Sequence, residues 1–140
     1  MKIASFDIGR LHMACVWMEN DQVLGTRLDR VDGTPASTIV YLDSILDSTF
    51  DLVLIERQMS LNSKCLCLQH QIHMYCVMRG LDAVIVSSKL KTPAGLTYAQ
   101  RKKYTVAVAE KAQLPFPPDQ KRDDVADAYC QLMAYLKISK

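Results

Sequence analysis

The order of strand-like and helix-like segments most strongly limits how this 140-residue sequence can fold. Three strand-like segments come first, at residues 2–7, 11–18 and 22–31. Segments with helical periodicity then alternate with short apolar runs at 52–55 and 83–86. Neighbouring strands joined by short turns form an antiparallel meander, whereas strands separated by helices pair in parallel. We therefore expect an α/β fold whose five-stranded mixed sheet, a three-strand antiparallel meander plus two parallel strands, is flanked by helices.

Four helix starts are predicted, and two of them, at Thr34 and Thr97, carry capping signals, in which an N-cap side chain satisfies the free amides of the first turn. The second helix is expected to end at Gly80, since glycine favours the conformation that follows a helix. The predicted starts are Thr34-Pro35, Asn62, the capping box Thr97-Tyr98-Ala99-Gln100, and a position near Arg122 that follows Pro115, Pro117 and Pro118.

Composition excludes several classes of protein. Hydrophobic residues make up 49% of the chain and charged residues 23%, values typical of one folded core, so we expect a single domain over residues 1–140. No apolar run reaches the roughly 20 residues of a membrane span, and Asp7 interrupts the apolar N-terminal segment that a signal peptide would need. The five cysteines, an odd number, favour reduced thiols in an intracellular protein over a disulfide framework.

Positive charge is concentrated in one part of the chain. Residues 79–122 contain nine Lys/Arg and three Asp/Glu, whereas residues 1–78 contain six and nine. A basic segment in a nearly neutral protein indicates a surface that faces a polyanion, although a solvated basic face without a partner would look the same.

Carboxylates stand at the ends of two strands and at the start of the last helix. Asp7 ends the first strand and Glu56 ends the run at 52–55, so parallel pairing would bring them to one edge of the sheet. Asp124 and Asp127 are three residues apart and share a helix face, as do Asp123 and Asp127 at a spacing of four.

Four converging carboxylates repel one another unless a cation joins them. Two divalent ions about 4 Å apart, bound by such a cluster, are the device that clamps the attacking and leaving oxygens of phosphoryl transfer. Mg²⁺ suits carboxylate ligands. Three of the acids also have a structural explanation: Asp7 as a turn residue, Glu56 as the ion-pair partner of Arg57 or Lys89, and Asp123 as a helix cap.

The chain resembles the RuvC-type Holliday junction resolvases, and most closely their compact poxvirus and large-DNA-virus branch. The resemblance runs from residue 3 to about residue 135. It is carried by Ile3-Ala4-Ser5-Phe6-Asp7-Ile8-Gly9, Leu54-Ile55-Glu56-Arg57-Gln58, Arg101-Lys102-Lys103 and Lys121-Arg122-Asp123-Asp124-Val125-Ala126-Asp127-Ala128.

This resemblance implies an RNase H-like fold and metal-dependent cleavage of branched DNA by a dimer, without a nucleotide cofactor or a membrane. It implies two Mg²⁺ or Mn²⁺ ions per active site, and a cytoplasmic location if the protein is viral. It assigns metal binding and catalysis to Asp7, Glu56, Asp124 and Asp127, with Asp123 as the substitute for Asp124. It also places Lys102 or Lys103 in the active site, and we expect Lys102. The alternative is a catalytically inactive nucleic-acid-binding module on the same fold.

Five basic side chains are candidates for DNA contacts, because cations at a helix start and in a Pro/Gly-containing loop can reach phosphates. The loop contains Pro93 and Gly95. The candidates are Lys89, Lys91, Arg101, Lys102 and Lys103.

The helix at 62–79 is apolar on two sides, so both sides are expected to be buried. One side carries Leu61, Leu68, Ile72 and Tyr75, and the other Leu66, Met74, Val77 and Met78. One can pack on the sheet and the other against a second copy of the chain, and the sequence does not say which. Paired nicking of a symmetric junction also calls for a homodimer through this helix. Burial of both sides under neighbouring helices is the alternative.

Overall fold

A computed structural model describes residues 1–115 and 122–139. The elements follow the predicted order βββ-α-β-α-β-α-α, with one added turn of 3₁₀ helix at Ser88–Lys91. Pro117, Pro118 and Lys121, which the sequence analysis used, lie outside the described residues. The strands are β1 (Lys2–Ile8), β2 (His12–Glu19), β3 (Gln22–Arg30), β4 (Leu52–Glu56) and β5 (Ala83–Val86), and the helices are α1 (Pro35–Asp43), α2 (Ser63–Met78), α3 (Tyr98–Lys111) and α4 (Arg122–Ser139).

The five strands form one sheet in the order β3-β2-β1-β4-β5. Strands β1, β2 and β3 pair antiparallel, and β4 lies parallel to both β1 and β5. Asn20 and Asp21 join β2 to β3 with φ angles of 50° and 67°, the left-handed pair that a tight hairpin requires. The predicted mixed sheet is thus confirmed.

Three helix starts have capping contacts, and the contacts at Thr34 and Thr97 were predicted. The side chains of Thr34 and Asn62 accept hydrogen bonds from the amides of the first turns of α1 and α2. Thr97 and Gln100 form the complete capping box of α3. Gly80 follows α2 with φ of 71°, a left-handed conformation that glycine adopts without steric cost.

Alternation along the strands gives the sheet two apolar faces. Phe6 of β1 and Ile55 of β4 pack with α1 and α2, whereas Ile3 and Leu54 pack with α3 and α4. By the same alternation, Asp7 lies on the α4 side with Ile3, and Glu56 lies there with Leu54. The fold therefore directs both strand-end carboxylates toward α4.

The two sides of α2 differ in how far they are buried. Leu68 and Ile72 are fully buried against the sheet, while Met74, Val77 and Met78 are more than 60% exposed. Leu61 departs from the prediction: it precedes the helix and is 90% exposed, because the N-cap residue Asn62 turns the chain away before the helical face begins.

The cysteines and the helices bear on the cellular environment. All five thiols are free, and four of them are buried. Among the described residues, no helix combines the length and apolarity that crossing a bilayer requires.

Candidate active site

The carboxyl ends of β1 and β4 bring Asp7 and Glu56 side by side. Phe6 is paired with Ile55 in the parallel register, so the next residue on each strand is an acid. Both acids are buried, with 5% and 8% of their surfaces exposed. The predicted meeting of these carboxylates at one edge of the sheet is what the structure shows.

Helix α4 supplies the third buried carboxylate. It crosses the face of the sheet on which Asp7 and Glu56 lie, and Asp127 in its second turn is buried. Asp123 and Asp124 stand in its first turn and are half-buried. Asp123 lies 3.6 Å from the ammonium of Lys102, measured from Oδ2 to Nζ, whereas Asp127 takes part in the central cluster.

Lys91 joins the carboxylates. Its Nζ lies 2.8 Å from Asp7 Oδ1 and 3.8 Å from Asp127 Oδ2, and it contacts Glu56 Oε2. The sequence analysis expected Lys91 in a flexible loop that contacts DNA phosphates. The structure instead places it at the end of the 3₁₀ turn after β5, with its ammonium among the three acids. One feature of the sequence could have indicated this position: Lys91 lies just beyond the end of β5, the strand that neighbours β4.

Lys102 is the second lysine of the cluster. Its Nζ donates a hydrogen bond to Asp127 Oδ2 at 2.5 Å and lies 5.6 Å from the centre of the Tyr98 ring. Lys103, the next residue on α3, is exposed to solvent. Of the two candidate lysines, Lys102 is thus the one that contacts the carboxylates.

Burial and mutual repulsion dominate the electrostatics of the cluster. Burial raises the pKa of Asp7 well above its ordinary value of 3.8, and the charge of Glu56 raises it further, although Lys91 opposes the rise. Burial lowers the pKa of Lys91 and of Lys102, but the carboxylates outweigh it, so both pKa values are raised. The raised pKa values keep both lysines protonated beside the carboxylates.

Two glutamines orient Glu56. Gln58 donates from Nε2 to Glu56 Oε1 at 3.0 Å, and its backbone amide donates to Gln69 Oε1 of α2 at 2.6 Å. Gln69 is buried, so this chain of contacts ties the carboxylate to the helix behind it. Gln58 belongs to the sequence motif at residues 54–58. Nothing in the sequence around Gln69 indicated that its side chain would hold Gln58 in place.

A basic groove reaches the cluster at Lys91 and Asp127. It has a volume of about 570 Å³ and runs between the 3₁₀ turn with its following loop and the start of α3. Lys91, Lys102 and Asp127 form its inner end, and Lys89 and Arg101 also line it. A negatively charged chain lying in this groove would meet cations along its path before reaching the acids.

The donor set suits a hard divalent cation, because carboxylate oxygens are the ligands that Mg²⁺ and Mn²⁺ prefer. Within residues 1–115 and 122–139, however, no three His, Cys, Asp or Glu side chains form a ready-made metal site. Instead, three buried carboxylates surround the ammonium of Lys91. This convergence on one positive charge shows that the acids can share a cation.

The chain shows clear similarity to proteins of known structure. Fowlpox virus resolvase, solved with its substrate Holliday junction DNA, is 20% identical, with a TM-score of 0.76 and coverage of 99% of each chain. A second structure of the fowlpox virus Holliday junction resolvase is 20% identical over the full length of both chains, with a TM-score of 0.69. Thermus thermophilus RuvC in complex with a Holliday junction substrate is 13% identical, with a TM-score of 0.65 and coverage of 99% of this chain and 96% of that one.

These likenesses confirm the predicted RNase H-like fold and the resemblance to RuvC-type resolvases. No curated protein sequence shows significant similarity to the chain. The sequences grouped as Poxvirus A22 protein match it over residues 1–140, from the first strand to the end of the last helix. The chain is therefore a member of the Poxvirus A22 protein family.

Proposed function

We propose that this protein is a divalent-metal-dependent endonuclease that resolves four-way DNA junctions by paired, symmetric nicks, with residues 1–140 as one nuclease domain. The observation that carries the proposal is the convergence of Asp7, Glu56 and Asp127 on Lys91, which lines a basic groove together with Asp127. Membership of the Poxvirus A22 protein family, and the junction DNA bound in the fowlpox virus resolvase structure, support the same substrate class.

Asp7, Glu56 and Asp127 would hold the metal, together with Asp124 or its substitute Asp123. We propose Mg²⁺ or Mn²⁺, two ions per active site, because that number suits both oxygens of an in-line displacement. When bound, the metal supplies an activated water and neutralises charge on the scissile phosphate. The carboxylates would supply oxygen ligands for the metal, and their burial keeps bulk water away from it.

Lys91 and Lys102 contribute positive charge on the groove side of the acids. Both ammonium groups stay protonated, since the carboxylates raise their pKa values. A protonated amine fixed beside a reacting phosphate stabilises the charge that develops on its oxygens. Lys102 is therefore proposed as a catalytic residue, as the sequence predicted, and Lys91 joins it because its ammonium lies even deeper in the cluster.

The DNA backbone would lie along the basic groove and the exposed start of α3. Lys89, Arg101 and Lys103 are exposed to solvent and are available to contact phosphates. Lys91 and Lys102 would then meet the phosphate nearest the carboxylates. These five residues are the cations that we propose to bind the branched DNA substrate.

We also propose a homodimer through the outer side of α2. Met74, Val77 and Met78 are exposed on that side, and Leu66 is half-buried there. Exposed apolar side chains grouped on one helix are typical of a protein-protein contact. A two-fold axis through this contact would give two active sites, one for each of two symmetric nicks.

The free thiols and the family support a location in a reducing compartment. Four buried cysteines without disulfides are usual for proteins made inside the cell. For a member of a poxvirus family, we propose the cytoplasm.

Cleavage of a four-way junction and of matched linear DNA, with and without Mg²⁺, tests the proposed activity. Asp7→Asn, Glu56→Gln and Asp127→Asn should each reduce nicking by orders of magnitude, because each removes a charged metal ligand, while junction binding persists. Asp82→Asn changes an exposed acid outside the site and should leave the rate unchanged.

Two results would contradict the proposal. Near-normal nicking by one of the three variants would remove that residue from the site. If the unmodified protein binds junctions but never cleaves them with Mg²⁺ or Mn²⁺, it is instead a binding module.

A further inference from the structure

A buried hydrogen-bond chain connects α4 to β1 just behind the carboxylates. Gln131 of α4 is fully buried, and its Nε2 donates to the backbone carbonyl of Phe6 and to Ser5 Oγ, both at 3.0 Å. The Ser5 hydroxyl in turn donates to the carbonyl of Ala128 at 2.8 Å. Helix and strand are thus joined by three hydrogen bonds in succession.

The position of this chain relates it to the site. Phe6 immediately precedes Asp7 on β1, and Gln131 follows Asp127 by one helical turn on the same side of α4. Asp7 and Asp127 both lie within 4 Å of the same ammonium nitrogen. Any slide or rotation of α4 along β1 that separates these two carboxylates would also break the bonds made by Gln131.

Stability alone does not account for a glutamine at this position. The orientation of its carboxamide is fixed, because the Phe6 carbonyl can only accept a hydrogen bond and so must face the amide nitrogen. The other end of the group, Oε1, is buried without a hydrogen-bond partner among the described residues. A buried acceptor left unsatisfied destabilises a fold, a penalty that an apolar side chain of similar shape would avoid.

We propose that Gln131 is a positioning residue for the nuclease reaction. Through Ser5 and Phe6 it fixes the register of α4 on β1, so that Asp127 and Asp7 stay close enough to share a metal ion. In this proposal the carboxamide and the Ser5 hydroxyl act through the carboxylates and not by touching the metal or the DNA. This inference rests on the proposed function, since it concerns the same carboxylates.

Gln131→Met tests the proposal, because methionine keeps the length of the side chain and removes all of its hydrogen bonds. Mn²⁺ binding to the DNA-free protein, measured by titration with electron paramagnetic resonance, should weaken about 10- to 100-fold, as when groups that orient metal ligands are lost. The cleavage rate should fall similarly, junction affinity in EDTA should stay the same, and the melting temperature should not fall. Leu132→Met, a buried change on the same helix, is the matched control and should alter none of these.

A smaller change keeps the proposal testable if Gln131→Met does not fold. Ser5→Ala removes the middle of the chain but keeps the bond from Gln131 to the Phe6 carbonyl, so Mn²⁺ affinity should fall less. Where both variants fold, combining them should be no worse than Gln131→Met alone, because both act through one chain. Wild-type Mn²⁺ affinity in Gln131→Met, or in Ser5→Ala if only that variant folds, would overturn the proposal. Weakened Mn²⁺ binding by a protein that never cuts junctions would instead refute the proposed function and leave the positioning role standing.

Discussion

Replacing Lys91 by methionine would show how much the stability of the metal-free fold depends on one buried ammonium. The Lys91 side chain is 9% exposed, and the side chains of Asp7, Glu56 and Asp127 around it are 8–10% exposed. Methionine preserves the aliphatic part of the side chain and removes only the charge. Three buried carboxylates would then face one another, with Lys102 as the lysine still in contact with one of them.

The size of the effect follows from this burial. Removing one partner of a buried charge pair costs about 3–5 kcal/mol, because the other charge is left uncompensated. Asp7 can relieve part of this cost by taking up a proton, since its pKa is already raised, so we expect a loss of about 3 kcal/mol. For a domain of this size, that loss lowers the melting temperature by roughly 10 °C.

Thermal unfolding followed by circular dichroism, first in EDTA and then with excess Mg²⁺, measures the effect. Mg²⁺ should raise the melting temperature of Lys91→Met more than that of the unmodified protein, because a divalent cation takes over the role of the missing ammonium. Lys89→Met, an exposed change in the same 3₁₀ turn, should behave like the unmodified protein. Equal melting temperatures for Lys91→Met and the unmodified protein in EDTA would refute the reasoning, as would equal shifts on adding Mg²⁺.

Three further predictions concern pH, salt and assembly. Because the pKa of Asp7 is higher in the folded chain than its ordinary value of 3.8, the folded state binds this proton more tightly, and stability falls as pH rises from that value through the raised pKa. Asp7→Asn should flatten this part of the profile of melting temperature against pH and raise stability at neutral pH in EDTA; an unchanged profile would show that Asp7 does not titrate in this way. Replacing Arg101 and Lys103 by glutamine should flatten the dependence of junction affinity on salt by about one phosphate contact each, and an unchanged slope would assign DNA binding to another surface. Met74→Glu should give soluble monomers in sedimentation, whereas Ile72→Glu should unfold the chain, because it buries an unpaired charge. An unmodified protein that stays monomeric with junction DNA bound would disprove the dimer.

The sequence predicted most of the fold because the relevant signals are local. Hydrophobic alternation, turn residues and helix caps act within a few positions of the element that they define, and this is why the five strands and four helices were found in the right order. The meeting of Asp7 and Glu56 also followed from local information, since it needs only the parallel pairing of two strands.

The interior of the site was harder to predict because it depends on contacts between distant segments. Lys91 meets Asp7 across 84 positions, and Gln131 meets Ser5 across 126. No periodicity links residues so far apart. The sequence therefore predicted a phosphate contact for Lys91, in its loop, and indicated no role for Gln131, in its helix. The choice between Lys102 and Lys103 likewise depends on how α3 rotates against α4, which the resemblance does not decide.

The position of α4 along the chain has a consequence for how the protein is synthesised. Asp7 and Glu56 leave the ribosome long before Asp127, and α4 also supplies Val125 and Leu132, which cover one face of the sheet. A nascent chain without α4 therefore has an uncovered apolar face and only two of the three buried carboxylates. Completion of the core and assembly of the proposed active site thus depend on the same late docking event, so a partly translated chain lacks both.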